Sequence, residues 1–239
     1  MGSRRSLNSQ RQSRPILPRY APRRTLPRMT TPAPDWPSQI HAVLTAERIS
    51  QVATVPDAGH ARLLRLCAAD PAMRVVTLTT EEEGVALLCG AWLGGTKGVL
   101  LMQSSGVGNC VNMLSLPAAL RAPAPMIVTM RGEFGEFNPA QVPMGTATRA
   151  VLEAMGVVVH RADQAADVAP NVEATIRLAY NTGRATATLL GQRLLGAKTF
   201  GAGRPLATAH IICRSGAAWA ARRWSGWAWR WRNRTVACW

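Results

Sequence analysis

Three glutamates stand together at positions 81–83, and the next thirteen residues carry no charge until Lys97. Carboxylates at the mouth of an apolar segment can share protons with a polar ligand, or they can simply cap a helix. Thr80 followed three residues later by Glu83 is a capping-box pattern, and carboxylates in a first turn gain from the helix dipole. Further along, Gln103, Ser104, Asn109 and Asn112 offer amide and hydroxyl groups, while His60 and Arg131 are partners for an anion or a proton. Each has an ordinary use as well: Gln103 and Asn112 at helix ends, Arg131 paired with Glu133 or Glu136, His60 as a structural histidine. Gly106 and Gly108 form a tight turn that presents backbone N–H groups to a ligand. They also open a dinucleotide pattern, but Val111 stands where its third glycine belongs and no P-loop lysine follows.

The elements that must position these residues alternate regularly. Short β-branched and apolar runs at 50–55, 74–79, 98–103, 125–130, 156–160 and 185–190 predict strands. Between them, amphipathic stretches at about 37–48, 58–68, 81–94, 107–121, 144–154 and 166–180 predict helices. Continuous apolar strands alternating with helices imply an α/β fold: a three-layer parallel sheet of about six strands with helices on both faces. In such sheets ligands sit at the carboxyl ends of the strands. The polar and glycine-bearing residues above all fall in the segments that follow strands.

Composition restricts the wider picture. The chain has 239 residues, enough for one domain with tails, and 47% of them are hydrophobic. No apolar run reaches the length of a membrane span. Five cysteines without a Cys-x-x-Cys pair argue against a disulfide framework or a zinc site, and fit a reducing, cytoplasmic setting. The net charge of +15 looks like a nucleic-acid footprint until it is mapped. Residues 1–28 carry eight arginines and no acid, residues 204–239 carry seven and no acid, and residues 29–203 are neutral overall. The first 28 residues read as an over-extended gene start or a solvated basic arm, since their prolines would break a targeting helix. The last segment holds six of the eight tryptophans, and reads as an out-of-frame extension, a disordered or docked tail, or a surface for nucleic acid or lipid. The expected domain is therefore 29–203.

Five segments of this middle region fall in order, one per strand or strand-to-helix loop. They are VPDA at 55–58, EEEGVALLCGAWLGG at 81–95, LLMQSSGVGN at 100–109 with Asn112, RGEFGEFNPAQVPMG at 131–145 and LLGQRLLGAK at 189–198. Together they resemble the pyrimidine-binding domain of thiamine-diphosphate-dependent decarboxylases, and most of all the sulfopyruvate decarboxylase alpha subunits, with phosphonopyruvate decarboxylases next. Ala58 and Ser104 depart from that pattern, where the family often has Ser and Asn. The resemblance implies that Glu81, nine residues before Gly90, hydrogen-bonds a ring nitrogen of the cofactor's aminopyrimidine and favours the tautomer that removes the thiazolium proton. Glu83 would remain the helix cap. Gly106 and Gly108 would lie against the cofactor, and the Gln103–Asn109 loop with His60, Asn112 and Arg131 would face the anionic substrate.

The family's cofactor also needs a domain with Gly-Asp-Gly to hold magnesium and the diphosphate, and that triplet is absent from these residues. This chain is thus expected to hold no metal, and a separate subunit to supply magnesium and diphosphate in a hetero-oligomer with the active site at the boundary. The implied reaction is decarboxylation of a small anionic 2-oxo acid, 3-sulfopyruvate to sulfoacetaldehyde. Phosphonopyruvate is the alternative substrate. A different class of reading makes the chain a non-catalytic, truncated domain whose basic tails bind nucleic acid.

Overall fold

The computed structural model describes residues 35–196. The two tails, with the outermost parts of the expected 29–203 domain, lie outside the described residues. In chain order the elements are α1 (Trp36–Ala46), β1 (Gln51–Thr54), α2 (Ala61–Ala69), β2 (Arg74–Thr77), α3 (Glu81–Leu93), β3 (Gly98–Gln103), α4 (Ser104–Cys110), α5 (Ser115–Leu120), β4 (Ala124–Thr129), α6 (Val142–Ala154), β5 (Val158–Ala162), α7 (Ala165–Thr182), β6 (Ala185–Leu190) and the single turn α8 (Gln192–Leu195). All six strands pair in parallel in the order β2-β1-β3-β4-β6-β5.

Strand position explains strand composition. Every residue of β4 is buried, as are the first five of β3 and the last five of β6, whereas the edge strands β2 and β5 are half-exposed. Central strands covered on both faces must be apolar along their whole length. Two cores form, one on each side of the sheet. Val85, Leu88, Leu100, Met102, Val107, Met126 and Leu152 pack on the face covered by α3 to α6. Ile40, Leu44, Leu63, Leu101, Ile127, Val172 and Ile176 pack on the face covered by α1, α2 and α7. The split follows from right-handed crossovers: connections that step one way along the sheet lie on one face, and those that step back lie on the other. Helices leaving β1 and β3 therefore diverge to opposite faces, which opens the carboxyl edge there to a ligand.

The expected helix at 107–121 is two helices. The first begins earlier, at Ser104 directly after β3, and ends at Cys110; turns lead into α5, where Pro117 sits in the first helical turn. Proline has no N–H to give to the preceding turn and its ring crowds the carbonyl four residues back, so an uninterrupted helix through 117 is disfavoured. The remaining strands and helices lie within a few residues of the expected ranges.

Close backbone approaches lock the carboxyl edge. A Cβ on Gly145 in α6 would lie 2.0 Å from the Arg131 carbonyl oxygen, so α6 can rest on the 131–132 turn only with glycine there. By contrast a Cβ on Gly90 in α3 would meet nothing within 4 Å. Gly145→Ala should therefore destabilise the chain by roughly 3 kcal/mol in urea unfolding. Gly90→Ala, mid-helix and open, should hold or raise stability, by up to about 1 kcal/mol.

Candidate active site

Glu81 is the first residue of α3, entering directly after Thr80 in extended backbone. It is only 8% exposed, yet no cation pairs with it among the described residues. The neighbouring helix α4 holds it. Asn109 Nδ2 donates to Glu81 Oε2 at 2.7 Å, and a Cβ on Gly106 would fall 2.4 Å from Glu81 Cγ, Cδ and Oε1. Gly106 is thus where the backbone of α4 comes up against the carboxylate. Glu83, on the exposed side of the same turn, does cap the helix, but one residue away from the expected box. Its carboxylate accepts from Thr79 N at 3.0 Å and Thr79 Oγ1 at 2.6 Å, and the Thr80 side chain makes no capping bond. Those bonds from Thr79 hold the Glu83 carboxyl below the usual carboxylate range.

The other expected residues divide into groups. Gln103, at the end of β3, donates from Nε2 to Ser105 Oγ at 2.9 Å and Gln141 Oε1 at 3.1 Å, which ties α4 to the loop before α6. Ser104 is fully buried and accepts from the Arg131 backbone N–H at 3.0 Å. Arg131 is also enclosed, with its guanidinium in a two-pronged pair with Glu136: Nε to Oε2 and Nη2 to Oε1, both 2.6 Å. Glu136 in turn accepts from the backbone N–H of Gly132 and Asn138 and from Gln192 Nε2. The hydrogen bonds from Arg131, ahead of the others, hold the Glu136 carboxyl far below the normal range. Asn112 is exposed in the turn after α4, beyond the Glu81–Asn109 pair, and its carbonyl accepts from Ser115. Gly108 is exposed beside Asn109.

His60 lies in the turn before α2, wholly buried, with neither ring nitrogen hydrogen-bonded. Burial pushes its pKa down to about 4, against a smaller opposing effect from Asp57. Near neutral pH it is therefore an uncharged ring rather than a cation facing an anion.

Sequence reasoning passed over three residues that the fold brings to this edge. A pocket of about 150 Å³ is lined by Asp57, Gly59, Thr129, Arg131 and Gln192, among others. Asp57 Oδ2 accepts from Gly59 N at 3.0 Å and Thr129 Oγ1 at 2.7 Å, which joins the ends of β1 and β4. Gln192 is 2% exposed; its Oε1 accepts from the Glu133 backbone N–H, its own backbone N–H donates to Glu133 Oε2, and its Nε2 donates to Glu136. Asp57 and Gln192 both stand inside recognisable segments, VPDA and LLGQ, but only the three-dimensional edge shows that they meet. Cys110, the last residue of α4, has its thiol pushed up to about 12 by burial and then by Glu81 and Glu82, so it is no nucleophile near pH 7.

The structure is thus a parallel α/β sheet with a buried carboxylate at its carboxyl edge, and its relatives carry the same kind of sheet or sequence. No protein-family model matches the chain. It is 35% identical over 157 residues to the sulfopyruvate decarboxylase subunit alpha of Methanothermobacter thermautotrophicus, a match spanning 65% of this chain and 95% of that protein. It is 41% identical over 114 residues to the phosphonopyruvate decarboxylase of Streptomyces viridochromogenes, but spans only 29% of that longer protein. Among solved structures, the 2-oxoglutarate:ferredoxin oxidoreductase of Magnetococcus marinus shares the fold with a TM-score of 0.53 at 11% identity, over 71% of this chain and 34% of that one. The curated relatives are decarboxylases. The chain belongs to the family of sulfopyruvate decarboxylase alpha subunits.

Two outcomes follow. Gly106→Ala should cost about 1–3 kcal/mol in chemical unfolding. Most of that cost should vanish in a Glu81→Ala background, because the clash partner is gone. Stability should also fall as pH is lowered from about 6.5 to about 4. Across that interval the unfolded chain binds a proton at His60 that the folded chain does not. The effect amounts to on the order of 3 kcal/mol, and His60→Leu should flatten it in pH-dependent unfolding.

Proposed function

We propose that this chain is the alpha-type subunit of a heteromeric, thiamine-diphosphate-dependent decarboxylase that converts 3-sulfopyruvate to sulfoacetaldehyde and carbon dioxide. The observation that carries the reading is the enclosed Glu81 carboxylate, braced by Asn109 and Gly106, in a chain that spans 95% of a sulfopyruvate decarboxylase alpha subunit.

The residues present fit a cofactor ring at Glu81. Asn109 occupies Oε2, which leaves Oε1 for a ligand nitrogen. The close backbone of α4 at Gly106 braces the other side of the Glu81 carboxylate. When bound, thiamine diphosphate supplies the electron sink for decarboxylation, and the protein's part is orientation and electrostatics. Glu81 holds or gives a proton at the pyrimidine ring nitrogen, and Asn109 fixes the carboxylate's orientation while it does so. The pocket walled by Asp57, Thr129, Arg131 and Gln192 is where a small anionic 2-oxo acid would sit; of the substrate residues that the resemblance implies, only Arg131 lines it, while Gln103, Ser104, Asn109, Asn112 and the neutral His60 do not. Arg131 is matched by Glu136, and the backbone N–H groups of residues 131–133 already donate to Ser104, Glu136 and Gln192, so the anion would meet Arg131 through the guanidinium N–H groups that Glu136 leaves over.

Magnesium and the diphosphate would be held by a second subunit that carries Gly-Asp-Gly, a triplet absent from these residues. Phe134 and Phe137, 74% and 43% exposed on the 131–141 loop, offer that partner an apolar contact beside the site. Within the described residues no helix is long and apolar enough to cross a membrane.

The test mixes the full chain with the partner subunit, magnesium and thiamine diphosphate and follows carbon dioxide release from sulfopyruvate and from phosphonopyruvate. Turnover of sulfopyruvate should require both chains and fall by about 10²–10⁴-fold in Glu81→Gln. Preference for phosphonopyruvate would overturn the substrate assignment, and full activity in Glu81→Gln would overturn the site.

A further inference from the structure

At the opposite, amino-terminal edge of the sheet, away from Glu81, the fold forms a second and larger cleft of about 340 Å³. Two arginines, Arg121 and Arg184, stand in its wall, and no acidic side chain lines it. Neither arginine is in an ion pair among the described residues.

Backbone geometry sets the two side by side. Arg121 closes α5 and Gly183 closes α7, both in left-handed conformation with φ of 51° and 62°. A Cβ on Gly183 would lie 2.3 Å from the Arg121 carbonyl oxygen, so the two helix ends are in direct contact. The Ala124 N–H then donates to the Arg184 carbonyl at 3.2 Å. Arg184 Nη2 reaches across to the Gly156 carbonyl at 3.4 Å, a long bond that leaves most of its donors available. Leu114, Ala118 and Met155 provide an apolar wall beside these charges.

Arg121 is the informative residue. A left-handed helix terminus favours glycine, and an arginine there carries backbone strain that glycine would relieve. The volume is also within the range of small-molecule sites. We propose that this cleft is a binding site for a small organic anion, with its phosphate, sulfonate or carboxylate head on Arg121 and Arg184 and its body on Leu114, Ala118 and Met155. The site is separate from the Glu81 edge and does not depend on the decarboxylase reading. A purely structural alternative is that the arginines only offset the negative ends of α5 and α7.

Phenyl phosphate, an anionic head on an apolar body, distinguishes them, with inorganic phosphate as the head alone. Titrated into the isotope-labelled full chain, phenyl phosphate should shift the amide resonances of Gly156, Gly183 and Ala118, and should bind more tightly than inorganic phosphate. Arg121→Gly should leave the thermal midpoint unchanged or raised, yet weaken binding by about tenfold, as expected for loss of a charge-assisted contact. Arg184→Gln should weaken it similarly. The proposal is overturned if those amides do not respond in the unsubstituted chain, or if binding survives both substitutions and so belongs to the arginine-rich ends. It is equally overturned if Arg121→Gly lowers stability and leaves affinity intact, the mark of a structural arginine.

Discussion

The carboxyl edge is organised by a carboxylate pressed against a stretch of backbone that has no side chain. Gly106 allows α4 to approach Glu81 closely, and Asn109 on the same helix then finds Oε2 at 2.7 Å. That contact fixes α4 relative to α3, and α4 carries Ser104, whose hydroxyl receives the Arg131 backbone N–H. Arg131 in turn holds Glu136, and Glu136 collects the turn at Gly132 and the buried Gln192. A chain of polar contacts therefore runs across the ends of β3, β4 and β6 from one close approach. Removing one partner from a buried charge pair such as Arg131–Glu136 costs about 3–5 kcal/mol, which is why the loop is held so firmly.

The same edge shows two ways of managing charge. Arg131 and Glu136 cancel each other within the chain. Glu81, enclosed at the start of α3, has only a neutral amide from Asn109 among the described residues. A buried charge with so little internal compensation is expensive for folding alone and is the kind of group that functional sites retain.

Much of this was legible in the sequence, and for identifiable reasons. Central strands such as APMIVT and GVLLMQ are apolar throughout because both faces are covered, so six strands could be located from composition. The triplet stood out because three carboxylates precede a long uncharged helix, but it was the family resemblance, counting back from Gly90, that implied Glu81 rather than Glu83. Other features were not legible. Pro117 split one expected helix in two, because what precedes it is a tight turn whose fit depends on tertiary packing. The cap at Glu83 slid from Thr80 to Thr79, a difference of one residue in backbone direction that no pattern encodes. Asp57 and Gln192 are far apart in the chain and acquire meaning only through Thr129 and Glu136, across strands that the sequence does not order. For Arg131 the sequence offered a pair with Glu133 or with Glu136, and only the turn at Gly132 decides for Glu136, Glu133 going to Arg161 instead.

The central claim is that Glu81 moves a proton on a cofactor whose diphosphate another subunit holds. Hydrogen–deuterium exchange at the thiazolium carbon of thiamine diphosphate, measured in the assembled complex without substrate, tests it most directly. Exchange should be much faster than for the free cofactor, and should fall back toward the free rate in Glu81→Gln although the cofactor remains bound. Fast exchange retained by that variant, with cofactor bound to both, would contradict the claim and move the proton-handling group elsewhere on the edge.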